Sequence, residues 1–166
     1  MDFSSMESIK AAGFAGFESI RALQLSDCIN APSAPGVYLV LRENPLPPRF
    51  ITQSPAGRFK GKDPTVSLSE LERNWVEGAL VLYIGKAGGG TTKNVLRKRL
   101  RRYMRFGAGE PADHWGGRLI WQLEDSRDLL VCWRPCATVD AAQLESALIQ
   151  DFARAYGNRP FANLRD

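Results

Sequence analysis

The chain has 166 residues, 44% hydrophobic and 24% charged, with a net charge of +4 and a pI of about 9.1. These values exclude a disordered or fibrous chain and suffice for one domain, 1–166, with its own core. The opening MDFSSMESIK has no basic start ahead of an apolar stretch, and nowhere do eighteen apolar residues run together, so no secretory signal or membrane partner is expected and the expected location is cytoplasmic.

Taken in chain order, residues 1–33 read as an N-terminal extension that packs on the domain. Gly36-Val37-Tyr38-Leu39-Val40-Leu41 follows as a β-rich run introduced by Pro32 and Pro35. Residues 43–78 read as an insertion, because 44–64 collect five of the ten prolines with scattered basic residues. Within it, Ser67 and the apolar spacing Leu68, Leu71, Trp75 predict a short capped helix over 67–76. A second strand over 79–84, closed by Gly85, is expected beside the first. A glycine-rich stretch over 87–92 leads into a helix over 94–104. Residues 106–117 read as a loop, 118–123 as either strand or helix, and 129–133 as a third strand. The last helix runs over 140–156, with Asp140 as its N-cap and Gly157 as its stop, and a tail over 158–166 returns across the domain. The expected class is α/β, an α+β sandwich with a small three-stranded, mainly antiparallel central sheet flanked by helices.

The sharpest chemical signal lies on that last helix. With Leu144 set at zero and about 100° per residue, Ala155, Leu148, Phe152, Tyr156 and Ile149 spread over roughly 20–140°, and Glu145 falls at about 100°. A carboxylate in the middle of the packing face needs compensation, because unpaired burial costs several kcal/mol. Two readings stand: a structural ion pair with an arginine, or a divalent-metal ligand or catalytic carboxylate at a cleft.

Between Lys93 and Arg105 there are seven basic residues and no acidic one. With Leu96 at zero, Arg99 lies near 300° on the rim of the apolar arc formed by Tyr103, Leu96, Leu100 and Met104, beside Tyr103. A guanidinium there is placed to grip a phosphate in a bidentate way. Arg97, Lys98, Arg101, Arg102 and Arg105 form a broad basic face, which reads as backbone contacts to nucleic acid or as a solvated surface. His114, the one histidine, is either a phosphate contact near a site or a packing residue. Trp115, Trp121 and Trp133 have the chemistry to stack bases, although aromatics at such spacing more often build core.

Gly36-Val37-Tyr38 and Tyr83-Ile84-Gly85, followed by Leu96-x-x-Arg99-Leu100-x-x-Tyr103, Glu145 and Asn163, resemble in order the signature of the GIY-YIG endonucleases. The resemblance covers roughly residues 34–166. It implies a metal-dependent DNA endonuclease in which Tyr38 and Tyr83 face the scissile phosphate, Arg99 stabilises its charge, Glu145 holds one Mg²⁺ or Mn²⁺ ion and Asn163 braces the site. Lys86, directly after Gly85, is placed to assist ionisation of a tyrosine. The chain departs from the family pattern at Val37, at Tyr103 where many relatives carry histidine, and in the length of the insertion, which resembles the restriction-enzyme branch.

Two rivals stand against the nuclease. A P-loop needs GxxxxGK[ST], and here Thr91 follows Gly90, so no nucleotide cofactor is expected. A catalytically silent nucleic-acid-binding module on the same fold would use the same basic helix.

Overall fold

The structure is a computed structural model that describes residues 1–88, 95–112, 114–136 and 140–164. The glycine-rich stretch 89–92, Lys93, the expected helix start at Asn94, and the last two residues of the tail lie outside the described residues. The elements run α1 (Met6–Ala11), β1 (Ala15–Ser19), α2 (Ile20–Leu25), β2 (Gly36–Leu41), α3 (Leu68–Asn74), β3 (Val81–Ala87), α4 (Leu96–Gly107), β4 (Leu130–Pro135) and α5 (Ala141–Tyr156). Residues 118–122, ambiguous in the sequence, form a 3₁₀ helix.

The sheet has four strands, not three. Its order is β1-β4-β2-β3, and every pairing is antiparallel. The added strand comes from the N-terminal extension. It escaped the sequence reading because Ala15-Gly16-Phe17-Glu18-Ser19 has only two apolar side chains, Ala15 and Phe17, and contains a register shift between Gly16 and Glu18. What makes it a strand is a neighbour: a Cβ on Gly16 would lie 2.5 Å from the Trp133 ring, so only glycine lets β1 approach β4 there.

β2 is central and buried along its whole length. Its alternate side chains divide the core in two. Val37, Leu39 and Leu41 point to the face covered by α5 and the N-terminal segment, where Phe3, Ile9, Phe14, Leu148, Ile149 and Phe152 pack. Tyr38 and Val40 point to the opposite face, covered by α2, α4 and the 3₁₀ helix. Both faces are therefore closed, which explains a continuous apolar run in place of alternation.

The outer edge of β3 is covered by the tail. The Ala162 N–H donates to the Leu82 carbonyl at 2.9 Å, and the Asn163 side chain bonds both the N–H and the carbonyl of Ile84 at 2.8 Å each. An amide side chain thus stands in for a further strand and satisfies backbone groups that a bare edge would leave unpaired.

α4 has no side-chain cap. Its first N–H groups, those of Leu96 and Arg97, donate to the carbonyls of Ala34 and Pro32 at 2.9 and 3.0 Å, which fixes its start against the loop before β2. α5 starts at Asp140, whose side chain accepts from the Ala142 N–H, and ends at Gly157 in the left-handed region, as expected. Its buried face is narrower than predicted: Ala155 is exposed and Leu144 half-buried, leaving Ala141, Leu148, Ile149 and Phe152 inside. Among the described residues, no helix is long and apolar enough to cross a membrane.

Candidate functional site

The strand register carries the first part of the site. Tyr38 on β2 lies opposite Gly85 on β3, and Val40 opposite Tyr83, so the two tyrosines project from adjacent strands onto one face. α4 lies over that face and adds Tyr103. The three rings form a triangle with centroids 5.9 to 6.3 Å apart.

Glycines make room for this cluster. A Cβ on Gly85 would sit 2.4 Å from Tyr38 Cζ, and one on Gly116 would sit 2.6 Å from the Tyr83 hydroxyl. The Gly85 of the motif is thus a packing requirement of the Tyr38 ring rather than a turn residue.

A cleft of about 490 Å³ opens beside the cluster, and Tyr83, Lys86, Arg99, Glu145 and Asn163 line it. Five sequence-predicted residues therefore share one cavity. Tyr38 and Tyr103 do not line it; both are fully buried, and they stand behind Tyr83. The Tyr103 hydroxyl donates to the Gly117 carbonyl at 2.9 Å, so its hydrogen is already committed to the loop.

Tyr38 differs in this respect. Its hydroxyl lies against Tyr83 and Arg99, yet among the described residues neither it nor Arg99 Nε has a hydrogen bond of acceptable geometry. Two adjacent buried polar atoms without partners are costly and mark a place where a ligand or water completes the network.

Glu145 reaches the cleft from the other face of the sheet, around the β3 edge. Its carboxylate Oε2 is 2.7 Å from Lys86 Nζ, with the Glu145 side chain 14% exposed and the Lys86 side chain 38% exposed. The compensation that the sequence demanded is thus supplied by a lysine from the strand, not by an arginine. Because Lys86 is the more exposed partner, it has room to swing away without unpacking the carboxylate.

Electrostatics tie the groups together. Burial raises the pKa of Tyr38 and raises that of Tyr83 well above the ordinary value, with the neighbouring phenols adding to Tyr83 and the Arg99 charge opposing in both. Glu145 acts on Tyr38, Tyr83 and Arg99 alike. Burial works against the Arg99 charge, but the phenols and Glu145 outweigh it, and Arg99 is held above its ordinary pKa. Both phenols are consequently protonated at neutral pH, and the guanidinium is charged.

The basic helix divides into two sets. Arg97 Nε donates to the Ala31 carbonyl at 2.8 Å, Arg101 pairs with Asp27 at 2.9 Å, and Arg105 pairs with Glu110 at 2.6 Å. These three tie α4 to its surroundings. Lys98 and Arg102 are exposed and lie on the side of Arg99 away from Leu96, at roughly 260° and 300° when Arg99 is set at zero.

His114 is buried, 1% exposed, and stacks on Tyr103 with ring centroids 4.4 Å apart. It is a support for the tyrosine cluster, and burial together with the Arg99 charge holds its pKa well below the ordinary value. Trp121 and Trp133 are core residues. Trp115 is not: it is half-buried and lines the cleft with Phe59 and Lys62, two insertion residues that sequence reasoning passed over. The available signal was Arg58-Phe59-Lys60-Gly61-Lys62, an aromatic set among cations.

No family model, curated protein or solved structure matches this chain.

Proposed function

We propose that the chain is a GIY-YIG-type endonuclease that hydrolyses DNA phosphodiester bonds through a single active site, with one divalent cation at Glu145. The observation that carries the reading is the cleft itself. Tyr83, Arg99 and Glu145, drawn from β3, α4 and α5, line one cavity, and the buried Tyr38 hydroxyl and Arg99 Nε beside it have no hydrogen-bond partner among the described residues.

Arg99 offers a charged, planar donor set to the phosphate and to the charge that builds on it during displacement. Tyr83, protonated and at the cleft wall, donates to a phosphate oxygen or orients the attacking water. Tyr38 packs behind Tyr83, with its hydroxyl in the field of the Arg99 charge. Asn163 fixes the backbone at Ile84, between Tyr83 and Gly85, and is a positioning residue.

The donor set suits a hard cation. One carboxylate at an open cleft matches Mg²⁺, which keeps most of its waters and takes further oxygen ligands from the phosphate. When bound, such an ion supplies Lewis-acid polarisation of the phosphate and stabilises the leaving oxygen. Lys86 would first have to release Glu145.

The test is a gel assay with Mg²⁺ or Mn²⁺ on plasmid and branched DNA, using wild type and Glu145→Ala. The expected result is nicking by wild type and loss of at least about a hundredfold in the variant, with DNA binding kept. Full activity in the variant removes the reading. The Lys86–Glu145 ion pair favours a second reading, a silent nucleic-acid-binding module in which the carboxylate is permanently neutralised. That reading requires wild type to shift DNA and leave it uncut.

A further inference from the structure

The cleft that Arg99 lines is also walled by a short hairpin of the insertion. Phe59 and Lys62 exchange backbone hydrogen bonds at 2.9 and 3.2 Å, and the two residues between them, Lys60 and Gly61, both have positive φ, 49° and 76°. That is the geometry of a tight two-residue hairpin turn, in which glycine at the second position relieves the strain. The hairpin is anchored: the Gly57 N–H donates to the Phe106 carbonyl at 2.7 Å, and a Cβ on Gly57 would overlap the Glu110 carbonyl at 1.9 Å.

The anchored hairpin sets the Phe59 ring 5.6 Å from that of Trp115, both half-buried and both on the cleft. Trp115 is followed by Gly116, whose missing side chain leaves space for the Tyr83 hydroxyl. An aromatic wall therefore begins one residue before the glycine that lies against the Tyr83 hydroxyl. Lys62 is exposed at its rim, and Lys60 lies over the Phe59 ring at 5.4 Å.

We infer that this wall receives an unstacked base next to the scissile phosphate, so that the preferred substrate is a DNA strand with an unpaired nucleotide at the cut, such as a single strand or a flap, rather than continuous duplex. The inference rests on the nuclease reading for the identity of the phosphate. A base within a duplex has both faces covered by its neighbours; these partly exposed rings, with the Arg118 guanidinium over Trp115 at 4.7 Å, gain stacking only from a base whose face is open. A cleft of about 490 Å³ is on the scale of one small-molecule-sized group, such as a single base with its phosphate.

The experiment uses the full chain in EDTA and three probes of one sequence: a single-stranded oligonucleotide, its duplex, and a duplex carrying a short single-stranded flap, each with 2-aminopurine at the junction position. Wild type should bind the single strand and the flap at least about tenfold more tightly than the duplex and change the 2-aminopurine emission on binding. Phe59→Leu keeps the apolar packing and removes the aromatic face; it should lose most of that preference and of the emission change, and Phe59→Tyr should restore both. Trp115→Leu gives an independent second variant. Equal affinity for duplex, or an unchanged preference in both leucine variants, would overturn the inference. Absence of cleavage with metal, alongside a preference that depends on Phe59, would sink the nuclease reading and leave the stacking wall standing.

Discussion

Arg99 and Tyr83 meet the cleft side by side, and burial acts on the two in opposite chemical senses. The guanidinium keeps its charge despite burial, with the Glu145 carboxylate among the groups favouring it, and the phenol keeps its proton because a phenolate there would be poorly solvated. Arg99→Lys retains a charge and loses the planar fork, so cleavage should fall about 10²–10³-fold while the fold survives, as read by circular dichroism and single-turnover rates. Rates within about threefold of wild type would remove Arg99 from the phosphate. For Tyr83, the raised pKa means that ionisation falls above its ordinary value of 10.0, so the pH–rate profile should show no inflection from this group between pH 7 and about 10. An alkaline limb near pH 8 to 9 that disappears in Tyr83→Phe would mean that the phenol is a general base ionising in the working range.

At the scale of elements, the tail and α4 hold the site in different ways. Asn163 closes the β3 edge through two bonds of 2.8 Å in a buried setting. Asn163→Ala leaves both the N–H and the carbonyl of Ile84 unpaired, and at roughly 1–3 kcal/mol for each unsatisfied group the cost should be about 2–6 kcal/mol, measurable by urea unfolding with an unchanged m-value. A change under about 0.5 kcal/mol would show that water replaces the amide. On α4, the division between tied and exposed cations predicts the salt dependence of DNA binding. Lys98→Ala with Arg102→Ala should lower the slope of log K against log salt by about two, at about 0.9 per phosphate contact, whereas Arg97→Ala with Arg101→Ala should change it by less than one. Helices α3, α4 and α5 and strands β2, β3 and β4 were legible in the sequence because period, capping residues and motif glycines agree there: Asp140 and Gly157 bound α5, and Ser67 starts α3; α1 and α2 lie in what the sequence shows only as a packing extension. β1 was not legible, since its reason for being a strand is Trp133, distant in sequence. Of the site, Glu145 stood out by its place on an apolar face. The hairpin wall did not, because prolines and cations read as a loop whatever they pack against.

For the whole molecule, the two halves of the core depend on pH through different groups. The face under α1 and α5 is apolar apart from its rim, where the N-terminal ammonium pairs with Asp151 at 2.6 Å; that carboxylate is lowered from an ordinary value of 3.8 and contributes stability that is lost only as pH falls below about 4. The face under α4 encloses His114, stacked on Tyr103 and held neutral by burial and by the Arg99 charge. In the unfolded chain this histidine takes up a proton below its ordinary value of 6.5, and in the folded chain it does so only at much lower pH. Stability from it is therefore fully present above pH 6.5 and is lost as pH falls. Because the chain has a single histidine, the window between pH 6.5 and 5 isolates this group from the carboxylates. His114→Phe preserves a flat ring against Tyr103 and removes the titration, so the thermal or urea midpoint of wild type, measured from pH 8 to pH 5, should fall relative to that of the variant as pH falls. Curves that stay parallel across that window would mean that His114 takes up its proton equally in the folded and the unfolded chain, and that burial against Tyr103 does not hold it neutral.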